Sequence, residues 1–85
     1  MRLKDLTSKY IEKTEKVLKE IKLVNVPQPI EEARIRNVFE EARRYLEDAK
    51  YYYKCERFEV SLASVSYCEG LLDALRMIGL AEFSW

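Results

Sequence analysis

The sequence predicts an all-α protein, an antiparallel three-helix bundle, and three observations carry that expectation. Apolar residues recur at spacings of three and four along three long stretches, the signature of helices that turn one face to a core. Only two glycines and two prolines occur among 85 residues, which favours long regular elements over many turns. The composition is 48% hydrophobic and 35% charged, enough apolar material for one core and too much for a disordered chain. A chain of this length buries roughly 60–65% of its unfolded surface, so residues 1–85 are expected to form a single domain.

The first helix is expected over about 3–23, where Leu3, Leu6, Tyr10, Thr14, Val17, Ile21 and Val24 form the stripe. Its other face offers acid-first pairs four residues apart, Asp5 with Lys9, Glu12 with Lys16 and Glu15 with Lys19, each worth a few tenths of a kcal/mol. The segment Asn25–Pro29 is a joint, because Pro27 and Pro29 cannot continue a helix and Pro29 suits the start of the next. The second helix follows over about 30–54, with Ile35, Val38, Phe39, Ala42, Leu46, Ala49 and Tyr53 inward and Glu31 and Glu32 in its first turn. Lys54–Phe58 is a second joint, without glycine or proline. The third helix runs over about 58–78, ending where Gly79 can take the left-handed conformation and Leu80 can fold back onto Leu75. Short joints between rods of similar length imply antiparallel neighbours.

Two stripes run along the third helix. One is small, with Ala63, Ser66, Gly70 and Ala74; the other is bulky, with Leu62, Val65, Leu72 and Met77 beside Leu71, Leu75 and Ile78. A mid-helix glycine costs about 1 kcal/mol against alanine. The small stripe is therefore expected to admit a neighbouring helix at close range, with packing offsetting the lost propensity. The competing reading makes Tyr67, Glu69, Asp73 and Arg76 a small polar pocket around Gly70. The two acids, four apart, repel unless a cation such as Arg76, Arg43 or Arg44 stands between them. The C-terminal half of this helix is apolar nearly all round, so either the tail with Phe83 and Trp85 covers the surplus or another chain does.

Much chemistry is excluded by composition. Histidine is absent, which removes histidine bases, histidine metal ligands and Ser-His or Cys-His nucleophile pairs. Two isolated glycines cannot build a phosphate-binding loop, and the Glu69–Asp73 pair offers too few oxygens for a metal, so no cofactor is expected. Cys55 and Cys68, thirteen apart and without further ligands, read as reduced thiols in a cytoplasmic protein. No apolar run reaches the ~18 residues of a membrane span. Net charge is zero overall, distributed as +3 over 1–24, −1 over 30–50 and −2 over 51–85, which disfavours nucleic acid as a partner. The six tyrosines lie mostly away from the basic first helix, and fit half-buried bundle positions better than base stacking.

The segment from Arg44 to Leu80 resembles the archaeal family catalogued as domain of unknown function 357. The resemblance is carried by Leu46, Asp48, Ala49, the Tyr51–Tyr53 aromatics, Phe58, Leu62, Ala63, Ser66-Tyr67 and the run Glu69-Gly70-Leu71-Leu72-Asp73-Ala74-Leu75-Arg76. Where this chain has Glu56 and Arg57, members of that family commonly have a glycine-acid turn. The resemblance implies a small helical cytoplasmic domain and supplies no activity; relatives joined to a nucleotidyltransferase-like domain would make it an accessory module. A likeness to helical RNases fails at their histidine, and one tetratricopeptide-like hairpin without a repeat makes no solenoid.

The expected function is accordingly a protein-interaction or self-association module without catalysis, its partner a second copy or another protein. The candidate residues are Tyr67, Glu69, Gly70, Asp73, Arg76, Leu71, Leu75, Ile78, Phe83 and Trp85. The alternative is an accessory subunit of a nucleotidyltransferase-type enzyme that touches nucleotide or metal through Glu69, Asp73 and Arg76.

Overall fold

A computed structural model describes residues 2–24 and 29–85, and residues 25–28 of the expected first joint lie outside that description. Three helices follow one another, α1 (Leu3–Glu20), then α2 (Glu32–Lys54) and α3 (Phe58–Met77). Two short strands, β1 (Lys22–Leu23) after α1 and β2 (Ala81–Glu82) after α3, pair antiparallel with Lys22 opposite Glu82 and Leu23 opposite Ala81. The expected all-α bundle is what forms. It is a rod of 44 × 20 × 17 Å, with α2 and α3 sharing the largest interface.

The core is a seam. Ile35, Phe39, Ala42, Leu46 and Ala49 on α2 face Ser61, Val65, Cys68, Leu72 and Leu75 on α3. Both sets step by four and three, the spacing of helices that interdigitate along nearly parallel axes. Small residues sit where the two helices touch most closely: the Ser61 hydroxyl donates to the Ala49 carbonyl at 2.6 Å across the buried interface.

The α1 stripe differs from the expected one. Thr7, Ile11, Thr14 and Val17 are buried, Leu6 and Tyr10 flank them, and Leu3 is exposed. Threonine takes core positions because its hydroxyl can turn back to the helix; Thr7 donates to the Leu3 carbonyl at 2.7 Å. Thr14 Oγ1, equally buried, has no such partner. Two of the three expected acid-first pairs on α1 have their acids bound elsewhere. Asp5 pairs with Arg2 instead, and Glu15 reaches across to Lys50 of α2.

The helix ends explain the shifted boundaries. Ile21 already has extended geometry (φ −64°, ψ 140°), so α1 stops at Glu20 rather than 23 and the chain enters the ribbon with β2. The second helix starts at Glu32 rather than 30, after an extended Glu31 whose carbonyl accepts from Arg34 and Ile35. After α2, Glu56 adopts φ 60°, with Arg57 N–H donating to the Tyr52 carbonyl at 2.9 Å and Glu56 N–H to Tyr53 at 3.0 Å. After α3 the same motif recurs, now with Gly79 at φ 81°, Leu80 N–H on the Leu75 carbonyl and Gly79 N–H on Arg76. The capping foreseen for Gly79 and Leu80 is what closes the bundle. The cap after α2 places a glutamate, Glu56, where left-handed geometry suits glycine.

Candidate functional site

Gly70 does not lie against a neighbouring helix. It is exposed, and a Cβ placed on it would meet nothing within 4 Å. Ser61, which does meet α2, stands nine residues earlier on α3, two and a half turns away and so on the opposite side. The small stripe of Ala63, Ser66, Gly70 and Ala74 is therefore the solvent side of α3. Three large side chains border it: Met77 is 80% exposed, Ile78 61% and Tyr67 55%. From Val60 to Ile78 this outward strip carries no charged residue at its centre. It is bounded by Glu59 at the helix start and by Asp73 and Arg76 along one edge.

The polar cluster expected around Gly70 divides between two edges of the strip. On the α1 edge, Asp73 Oδ1 accepts from Arg76 Nη2 at 2.9 Å and from the Trp85 indole Nε1 at 2.7 Å. Phe83 stands edge-on to Trp85 with ring centres 5.0 Å apart, and the Arg76 guanidinium lies over Phe83 at 5.4 Å. Lys13 of α1 completes this edge, pairing with Glu69 at 3.3 Å and lying over both Tyr10 and Trp85. The repulsion between Glu69 and Asp73 is thus relieved by Lys13 and Arg76. Arg43 and Arg44 take no part and pair with Glu40 and Glu41 of their own helix. Lys13 is not among the residues expected at the site, and its one signal in the sequence is that it is the mid-helix lysine of α1 outside the acid-first pairs.

On the α2 edge, Tyr67 stacks on Tyr45 with ring centres 4.4 Å apart, and Arg44 covers Tyr45 at 4.7 Å. Tyr67 therefore belongs to a different edge from Glu69, Asp73 and Arg76. Leu75 is a core residue, Leu71 is half-buried against that core, and Gly70 and Ile78 face outward. The tail covers the α1 edge through Phe83 and Trp85 while Met77 and Ile78 stay uncovered.

A second opening runs between α1 and α2. A cleft of about 180 Å³ is lined by Ser8, Ile11, Glu12, Lys50, Tyr53 and Lys54. Lys50, in contact with Glu15, also lines a smaller one of about 140 Å³. That contact holds the Glu15 carboxyl below its ordinary value and raises the Lys50 ammonium, the shared hydrogen bond being the largest cause of each. At the centre of the bundle, burial pushes the Cys68 thiol up to about 12, with the Glu69 charge adding to it. Cys55 is exposed at the second joint. Among the described residues no group of three or more acids and cysteines gathers to hold a metal ion, and no helix is long and apolar enough to cross a membrane.

These features define a small three-helix bundle whose third helix keeps one uncharged side in solvent. The chain belongs to the family described as Protein of unknown function (DUF357), which matches residues 9–81. The match extends the resemblance seen over the second half of the sequence back through most of α1. No curated protein and no solved structure matches the chain.

Proposed function

We propose that this chain is a protein-interaction module with no catalysis of its own, docking through the outward strip of α3. One observation carries the reading: an uncharged strip with exposed Met77 and Ile78 runs along a chain that is 35% charged. At its middle stands a glycine that nothing else in the described chain explains. Singly exposed apolar residues need no explanation, whereas a contiguous row along one helix marks a surface that a partner covers. A helix without side-chain bulk at its centre lets another backbone approach closely. Two free thiols, one of them exposed, fit a reducing cytoplasmic setting. The carboxylates that a nucleotide-linked metal would require are already held by Lys13, Arg76 and Trp85, so no observation favours the accessory-enzyme reading.

The test is affinity capture from the source cell with the native chain and with Ala74→Glu and Met77→Glu, variants that leave the core untouched. The reading expects a stoichiometric partner, a second copy included, that both variants lose while keeping native helicity and Tm. A partner retained by both variants, or no partner at any concentration, would overturn it.

A further inference from the structure

The α1 edge of α3 is a groove in which the chain's own tail lies. α1 and α3 run in the same direction, since Thr7 meets the Phe58 carbonyl and Lys13 meets Glu69. The tail enters from their C-terminal ends, where β2 is fixed on β1 and Leu80 and Ala81 are buried. It then runs back along the groove: Phe83 meets Arg76, and Trp85, two residues on, reaches Asp73 and Lys13. A spacing of two is that of an extended segment with both rings on one side. Both rings are half-buried, held by the indole hydrogen bond, by the cations over their faces and by each other.

Toward the N-terminal ends of the two helices the groove continues unfilled. A cleft of about 270 Å³ is lined by Leu6, Lys9, Tyr10 and Lys13, and Lys13 is also the residue that lies over Trp85. Leu6 and Tyr10 are half-buried, while Lys9 is exposed and has no ion-pair partner among the described residues. We propose that this groove, separate from the outward strip of α3, is a recognition site for an extended peptide segment with two aromatic residues two apart followed by an acidic residue. Residues 83–85 occupy it as an autoinhibitory strap.

The aromatic pair follows from the segment already seated there. The acid follows from charge: an incoming carboxylate meets two ammonium groups beside an apolar floor, Lys9 unpaired and Lys13 set against Glu69. Competition defines the partner further. A tethered tail acts at an effective concentration of about a millimolar, so a free segment with the same contacts loses to it. One that also fills the cleft and pairs with Lys9 makes contacts that the strap lacks. The bundle stays folded during the exchange, because Leu80 and Ala81 are anchored ahead of the strap.

The probe is the unlabelled acetylated peptide Ala-Glu-Phe-Ser-Trp-Asp-Asp, added to the isotope-labelled full chain and followed by NMR. Trp85 is the one tryptophan of the chain, so its indole N–H signal reports the strap alone. That signal is expected to move to the position of a solvent-exposed indole, saturably below ~1 mM peptide, with the amides from Leu6 to Lys13 shifting alongside. Trp85→Ser, which opens the groove without removing a buried side chain, is expected to bind the peptide about tenfold tighter than the native chain. Lys9→Glu is expected to weaken binding about tenfold, and a peptide ending in two lysines to restore it. The proposal falls if neither the native chain nor Trp85→Ser responds to ~1 mM peptide, or if the two bind equally. Equal binding of the acidic and the lysine-ended peptides by the native chain would overturn the acidic requirement.

Discussion

The two sides of α3 carry similar residues and do opposite things. Inward, Ser61 and Cys68 are buried between Val65 and Leu72, and Ser61 touches the α2 backbone. Outward, Ala63, Ser66, Gly70 and Ala74 are equally small and exposed, and a Cβ at Gly70 would meet nothing within 4 Å. Smallness alone thus says that a close approach is available, and not on which side it is used. What decides is the bulky residues in register with the small ones. Val65, Leu72 and Leu75 repeat in phase with Ser61 and Cys68, so hydrophobic burial pulls that side inward and leaves the other to solvent.

The largest expected contrast comes from truncating one bulky residue on each side. Leu72→Ala should lower stability by about 3 kcal/mol, through lost burial and the cavity left behind. Met77→Ala on the outward strip should change it by less than about 0.5 kcal/mol. Urea unfolding of both variants checks this, and a comparable loss in Met77→Ala would mean that the outward side is already packed.

The two glycines sharpen the comparison with opposite signs. Gly70→Ala should raise stability by about 1 kcal/mol, because the new methyl enters open space and helix propensity improves. Gly79→Ala should lower it by about 1 kcal/mol, because φ 81° at the cap opposes an L side chain. Thermal melts of the pair in parallel decide the matter. Had a neighbouring helix lain close against Gly70, as the small stripe suggests, both substitutions would have the same sign.

Legibility followed which residue types do the packing. The core stripe of α2 was readable because Ile35, Phe39, Leu46 and the alanines between them are all apolar. On α1 the core runs through Thr7, which looks polar, and Ile11, while the apolar Leu3 is exposed, so the expected stripe lies one position off in its first half and meets the observed one at Thr14. The cap at Gly79 was legible from glycine followed by leucine, whereas the matching cap at Glu56 was hidden by a residue that pays strain for the same geometry. The β1–β2 ribbon consists of four residues joined only by the fold, and no periodicity marks so short a pair. At the candidate site, the chemistry of Glu69, Asp73 and Arg76 was recognised but their closure by Lys13 and Trp85 depends on long-range contacts.

The threonines test the corrected α1 phase. Thr14→Val should raise stability by about 1 kcal/mol, since it replaces a buried hydroxyl without a partner by an isosteric methyl. Thr7→Val, losing a hydrogen bond that the Leu3 carbonyl satisfies, should be neutral or slightly unfavourable. Equal effects would place both hydroxyls in the same environment.

The smallest effect belongs to the charged contact that ties α1 to α2, and it has a definite pH signature. The Glu15 carboxyl is held below its ordinary value of 4.5, so its contribution is present above that pH and is lost as pH falls through the lowered value in the fold. The Lys50 ammonium is raised above 10.5, so its contribution is present below that pH and is lost as pH rises through the raised value. The pair therefore stabilises across the neutral range. Both side chains remain about a third exposed, at 38% and 32%, so solvent screening limits the coupling to about 0.5 kcal/mol. A double-mutant cycle with Glu15→Gln and Lys50→Met at pH 7 should recover that coupling and lose it in ~1 M salt, where the Debye length is about 3 Å. A coupling that persists in salt, or exceeds about 1.5 kcal/mol, would mean that the α1–α2 seam is closed over the pair. In that case the 180 Å³ cleft beside it would be part of the core rather than an opening between α1 and α2.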